Sequence, residues 1–297
     1  MWTIKSWYHE AYHAAKADAT RVRRMADFLL ETYLTHLPGE TRDSLGARLA
    51  ECYRMRLAAV PDLSVYPELR GMPQLLEAAW RGARDGAALD EAQAAVHVMG
   101  LWLLHREAYS KLTPQPAHCS VAYFHTSDHG ALLGVNLDTN PDEPYGPPGW
   151  PLVNEHLVTG GVSSGVYLDE ASPEIFPAPV STLVSRYCRS AEEAVELYTR
   201  YNHFWGPGNL LVADRAGHVA MIEKSACRIG VRWSHDGFGF VTAMTAEEPG
   251  MHAYLEDRRQ ASLVARGLPT PCADTRYWDA QDTRRAIMNR LMAEAKQ

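Results

Sequence analysis

The chain has 297 residues, 46% of them hydrophobic and 22% charged, with a formal net charge of -7. That is the composition of an ordinary globular protein with apolar residues enough for one large core or two small ones, folding without disulfide or metal staples. The only cluster of basic residues that stands out is Arg21, Arg23 and Arg24, on a helical stretch, where a solvated face is expected, so nucleic acid is not an expected partner.

Before residue 112, apolar residues recur at spacings of three and four, as in Met25, Phe28, Leu29 and Tyr33, then Leu75, Leu76, Ala79 and Trp80, then Val96, Met99 and Leu103. This is helical periodicity, and it predicts four or five helices. Asp90 followed by Gln93 resembles a capping box opening the last of them. The most apolar window, residues 94–104, is too short to span a bilayer and carries His97, and the N-terminal "MWTIKSWYHEAYHAAK" has no apolar signal core. A cytoplasmic protein with no membrane partner is expected. After "KLTPQPAH" the pattern changes to short β runs: "CSVAYFH", a turn at "TSDHG", "ALLGVNLD", "GVYL", "NLLVAD", a turn at "RAG", "HVAMIEK", "CRIGVRW" and "GFGFVTAM". Ser190 with Glu193 begins another capped helix, and helices return near 253–266 and 279–295. Helices followed by hairpin strands with helices around them predict an α+β layered fold.

Two motifs compete for the chemistry. "HEAYH" at 9–13 matches H-E-x-x-H, which sets two imidazoles on one helix face around zinc with a glutamate as base. A zinc hydrolase using His9, Glu10 and His13 also needs a third ligand, and Glu31 falls close to, but not on, the required spacing. The simpler expectation is a helix whose Trp7, Tyr8, Ala11 and Tyr12 pack while His9 and His13 face solvent.

The second motif begins at Cys119. The five cysteines, Cys52, Cys119, Cys188, Cys227 and Cys272, are scattered, with no C-x-x-C pair, so neither a disulfide framework nor a thiolate zinc site is suggested. Cys119 follows a Pro-rich break and heads an alternating strand. A cysteine there is either an inert packed thiol or a nucleophile that becomes a chain terminus, whose new α-amine can accept the thiol proton. In the second case the hairpin across "TSDHG" brings Asp138 back alongside Cys119, where a carboxylate can orient the amine.

The run "CSVAYFHTSDHGALLGVNLD" resembles the nucleophile hairpin of N-terminal-nucleophile acyltransferases related to isopenicillin N acyltransferase, cousins of the penicillin V acylases and bile-salt hydrolases. "YPELRGMPQLLEAAW", "SAEEAVELY" and "GNLLVADRAGHVAMIE" follow the order of that family's propeptide helices, mid-chain helix and most specific hairpin, the last ending in Glu223. The resemblance implies a four-layered αββα sandwich in which residues 1–118 are a helical pro-segment and residues 119–297 the catalytic segment, together one fold. It also implies cleavage between His118 and Cys119, Cys119 as nucleophile, Asp138 holding the new amine, and Arg258 near the family's Ser-Arg pair, with Arg259 an equal register. The implied substrate is a small-molecule amide or acyl group, with no metal or organic cofactor.

Departures are specific. Val162 and Ala243 or Met244 stand where relatives carry asparagines, Val135 where bile-salt hydrolases carry an arginine, Thr139 for the usual Trp, and His118 for the usual Gly. The oxyanion is then held by backbone N–H groups with Ser163, Thr242 or Asn209, or the chain is retuned to an unusual substrate, or it is a degenerate relative that binds without cutting. The enzyme is favoured because Cys119 and Asp138 keep the family's separation.

Overall fold

Thr3 and Ser6 exchange side-chain-to-backbone hydrogen bonds of 3.0 and 3.1 Å, a reciprocal cap that starts α1 at Ile4–Ala17. The computed structural model describes residues 3–37, 39–59, 71–103, 119–126, 130–136, 152–163, 179–202, 208–225, 227–243, 245–265 and 276–295. After α1 come α2 (Ala19–His36), α3 (Arg42–Ala59), α4 (Met72–Ala87) and α5 (Glu91–Leu103). These five helices form one compact unit; the strands, with the helices from Val180 onward, form a second.

In the helical unit, small residues decide which helices touch. Gly82 and Gly86, one turn apart on α4, lie so close to α1 that a Cβ on either would stand 2.2 Å from the carbonyl oxygen of Tyr8 or Tyr12. The Tyr8 hydroxyl donates to Asp85 at 2.9 Å across the same contact. The predicted capping box is present: the Asp90 N–H donates to Gln93 and the Gln93 N–H to Asp90, at 3.0 and 2.8 Å. Gln93 Nε2 also donates to Asp27 of α2 at 2.8 Å, and Arg42 of α3 bonds both Asp27 and Asp90, so one polar hub joins α2, α3 and α5.

The second unit holds β1 (Ser120–Thr126), β2 (Gly130–Asn136), β3 (Leu152–Val153), β4 (Leu157–Ser163), β5 (Gly208–Asp214), β6 (Val219–Lys224), β7 (Ile229–Ser234) and β8 (Phe238–Thr242). Its helices are α6 (Pro179–Tyr187), α7 (Ala191–Arg200), α8 (Pro249–Ala265) and α9 (Arg276–Ala295). The hairpin strands do not make one sheet. They divide into a three-stranded sheet, β2-β1-β8, and a five-stranded sheet, β3-β4-β5-β6-β7, with every pairing antiparallel.

Side chains from both sheets meet in one core, with Val121 and Tyr123 of β1, Val162 of β4, Leu211 and Ala213 of β5, and Val219 and Met221 of β6. Each sheet gives up a side chain where they approach closely: a Cβ on Gly160 would lie 3.0 Å from Val121, and one on Gly239 would lie 2.7 Å from Val219. The alternate residues Leu210, Val212, Ala220 and Ile222 are also buried, on the other face of the five-stranded sheet, and α7 lies against β5 and β6. Met251 and Leu255 carry α8 into the shared core, and α9 touches β8. The fold class is α+β, helices with antiparallel sheets. Among the described residues no helix is long and apolar enough to cross a membrane.

Candidate functional site at the head of β1

Cys119 immediately precedes β1, the central strand of its sheet, and its carbonyl accepts the Ala243 N–H at 2.9 Å. Val121 and Tyr123 face the core, so the period-two alternation sets Cys119 on the same inner face. There it is half-buried, packed against the core to which Ala243 and Ala246 belong.

Val162, Asn209 and Glu223 stand opposite one another across β4, β5 and β6 and share the inner face of the five-stranded sheet. Asn209 is buried, and its Nδ2 donates to the carbonyls of Thr242 at 2.8 Å and Thr245 at 2.6 Å. Both partners are pure acceptors, which fixes the amide's orientation and uses both of its hydrogens. In this arrangement the amide of Asn209 holds backbone. Thr242 pairs with Ser120 and alternates to the face opposite Val241 and Ala243; its hydroxyl bonds that of Thr245. Ser163 pairs with Gly208 at the end of β4, and its side chain lies outside the described residues.

The aliphatic side chains of Val162 and Ala243 thus stand on the inner face, at a position where the resemblance set an asparagine and at one of the two registers, Ala243 or Met244, for the other. Arg258 follows Met251 and Leu255 on one face of α8 and is half-buried. His118, Asp138, Thr139, Met244, Cys272 and the side chain of Arg259 lie outside the described residues. Asn136, two residues before Asp138, pairs with Ser120, one residue after Cys119.

Two carboxylates had no role in the expected site. Glu223, 2% exposed, accepts from Arg232 Nε at 3.0 Å and Nη2 at 2.9 Å. Burial is the dominant influence and raises its carboxyl above the usual range, although Arg232 and the N–H groups of Glu248 and Glu247 pull the other way. The sequence marks Glu223 only as the end of a hairpin strand; the register, which sets it opposite Asn209, reveals the inner face.

Asp214 lies at the other end of β5, and its oxygens accept the N–H groups of Ala191, Ala216 and His218 at 2.9 to 3.0 Å. Burial pushes its carboxyl up, but the N–H groups of Ala191 and His218 and the His218 imidazole outweigh this and hold it below the ordinary range. With Glu192 and His218 it makes the one group of three metal-ligand-type side chains within 4.8 Å among the described residues. The backbone bonds explain Asp214 without an ion: it caps α7 and closes the β5–β6 turn.

At "HEAYH", Trp7 is buried while His9 and His13 are exposed and stack on each other with ring centroids 6.2 Å apart. Among the described residues no third ligand-type side chain converges on them, and Glu31 is exposed on α2. Of the other described thiols, Cys188 is buried, which pushes its pKa up to about 12; Cys52 is half-buried and Cys227 exposed.

No protein-family model matches this chain, and no curated protein matches it.

Proposed function

We propose that the protein is a self-processing cysteine hydrolase or acyltransferase of the N-terminal-nucleophile type, acting on a linear amide or acyl thioester of a small molecule. The observation that carries this reading is the place of Cys119, at the head of a central strand on the inner face between two sheets, with its carbonyl tied to the neighbouring strand. An inert core thiol needs no such position; a new chain terminus does, because the amine freed there must be held beside its own side chain.

In the precursor the Cys119 sulfur attacks the carbonyl carbon of His118 and the peptide nitrogen leaves, moving the acyl group from nitrogen to sulfur. The α-amine of Cys119 is freed in that shift, taking up a proton as it leaves; water then hydrolyses the thioester, releasing the carboxylate of residue 118 and the Cys119 thiol. With a pKa near ~8, that amine accepts the thiol proton. The thiolate attacks the substrate carbonyl, the leaving amine or thiol departs with that proton, and the acyl-enzyme passes its acyl group to water or to an acceptor amine. Asp138 is assigned to orient the amine. Asn209 is engaged with backbone and Val162 and Ala243 are aliphatic, so backbone N–H groups are assigned to the oxyanion.

The same reading arranges the second unit as a four-layered αββα sandwich: α7, the five-stranded sheet, the three-stranded sheet and α9. One observation favours a second reading, a non-cutting relative that only binds. Losing an oxyanion donor costs a typical enzyme on the order of 10²–10³ in turnover, and aliphatic residues replace amides at two positions.

Thiol labelling separates the readings, because the thiolate is the reactive species. Under native conditions at pH 7, iodoacetamide should modify Cys119 ahead of the exposed Cys227 and leave Cys188 unmodified. Labelling ordered by exposure alone, with Cys227 first and Cys119 no faster than Cys52, would favour the binding module.

A further inference from the structure

We infer that Glu223 is a positioning residue for Cys119, acting with Asn209 as a latch on residues 242, 243 and 245–248, which hold the Cys119 backbone through the Ala243 N–H. This rests on the proposed nucleophile role of Cys119 and assigns the shape of its surroundings to a carboxylate on another sheet.

Asn209 and Glu223 are cross-strand partners on β5 and β6, so their side chains leave the sheet side by side. Between them they grip four backbone groups of one short segment. Asn209 Nδ2 takes the carbonyls of Thr242 and Thr245. Glu223 Oε2 takes the N–H groups of Glu247 and Glu248, each at 2.8 Å. The other oxygen of Glu223 is held by Arg232, whose Nη1 reaches Glu247 Oε2 at 3.3 Å, so the carboxylate is oriented from behind and its target is tethered.

The same segment contains Ala243, whose N–H bonds the Cys119 carbonyl, and Ala246, part of the core against which Cys119 packs. Glu248 Oε2 in turn accepts the Met251 N–H at 2.7 Å, fixing the first turn of α8. The row ends at Gly230, opposite Glu223, where a Cβ would lie 2.7 Å from Glu248 and from Met251. Glycine there lets the turn sit flat on the sheet. The charges facing Glu223 are Arg232 from β7 and Glu247 and Glu248 from the segment itself. A buried carboxylate with four donors on its two oxygens fixes distance and direction at once, which is what a support for a nucleophile's backbone requires.

The test uses the full chain and the isosteric Glu223→Gln, which keeps volume and removes the charge. Val212→Ala, on the opposite face of β5, serves as a destabilised control. Release of the latch should uncover the thiol while spoiling the geometry of reaction. Cys119 should be alkylated by iodoacetamide about tenfold faster in Glu223→Gln, and self-cleavage should slow by about tenfold, whereas Val212→Ala should change each by no more than roughly twofold. In the wild-type chain the Glu247 and Glu248 amides should exchange with deuterium far more slowly than that of the exposed Gly250, in the first turn of α8 where an N–H has no intrahelical partner, a readout that needs no variant to fold. The inference is overturned if Glu223→Gln shifts both rates no more than Val212→Ala does, or if those two amides exchange as fast as exposed ones. Absence of self-cleavage in the wild type would count against the proposed function alone, since the alkylation ratio and the exchange rates still decide the latch.

Discussion

His97 sits on α5, and burial of its imidazole pushes the pKa down to about 4. A histidine whose folded pKa lies below its unfolded value near ~6.5 is kept neutral by the fold, so stability falls as pH drops through the unfolded pKa. The loss grows until the pH reaches the folded value, by up to about 3 kcal/mol for a shift of this size. Chemical denaturation between pH 7 and pH 4 should show this slope, and His97→Gln should flatten it. An unchanged slope in the variant would mean that other groups govern acid sensitivity. In sequence His97 is one polar residue in an apolar window, enough to argue against a membrane span and too little to reveal its burial. The place of Cys119 at the head of a strand was legible because the alternation of β1 begins directly after a Pro-rich break. The engagement of Asn209 with two carbonyls was not legible, because its partners lie 33 and 36 residues away on the other sheet's exit.

The contact of α4 with α1 depends on absent side chains. Gly82→Ala gains about 1 kcal/mol of helix propensity but sets a Cβ 2.2 Å from a backbone carbonyl that has no rotamer to yield. Overpacking of this kind costs about 1–3 kcal/mol, so the net effect should be destabilising, measured as a lower denaturation midpoint by circular dichroism. A midpoint equal to or above the parent's would show that α1 can shift away freely. At this scale periodicity found the helices well: the 3.6-residue stripes of α2, α4 and α5 and the Asp90–Gln93 box lie where the spacing placed them. Ser190 caps α7 as expected, through the Glu193 N–H at 3.2 Å, but Glu193 reaches back to the Arg189 N–H, one residue earlier than a capping box has it. Strand β4 escaped notice because Gly160 and Gly161 break its apolar run. Gly160 is there for the close approach of the sheets and carries no local strand signal. The split into two sheets has no local signal and entered only as what the family resemblance implied, since β1 pairs with β8 across more than a hundred residues and no local pattern encodes that.

For the whole molecule, the central claim is that one chain becomes two at a defined bond and that the new terminus is the nucleophile. Intact-mass analysis of the purified protein after incubation at neutral pH tests this without knowledge of the substrate. The account predicts two fragments, residues 1–118 and 119–297, whose masses sum to that of the chain plus one water, and an intact chain for Cys119→Ala. Position-specific sequencing of the second fragment should begin at Cys119. A wild-type chain that stays whole, or one cut elsewhere and cut equally in Cys119→Ala, would contradict it.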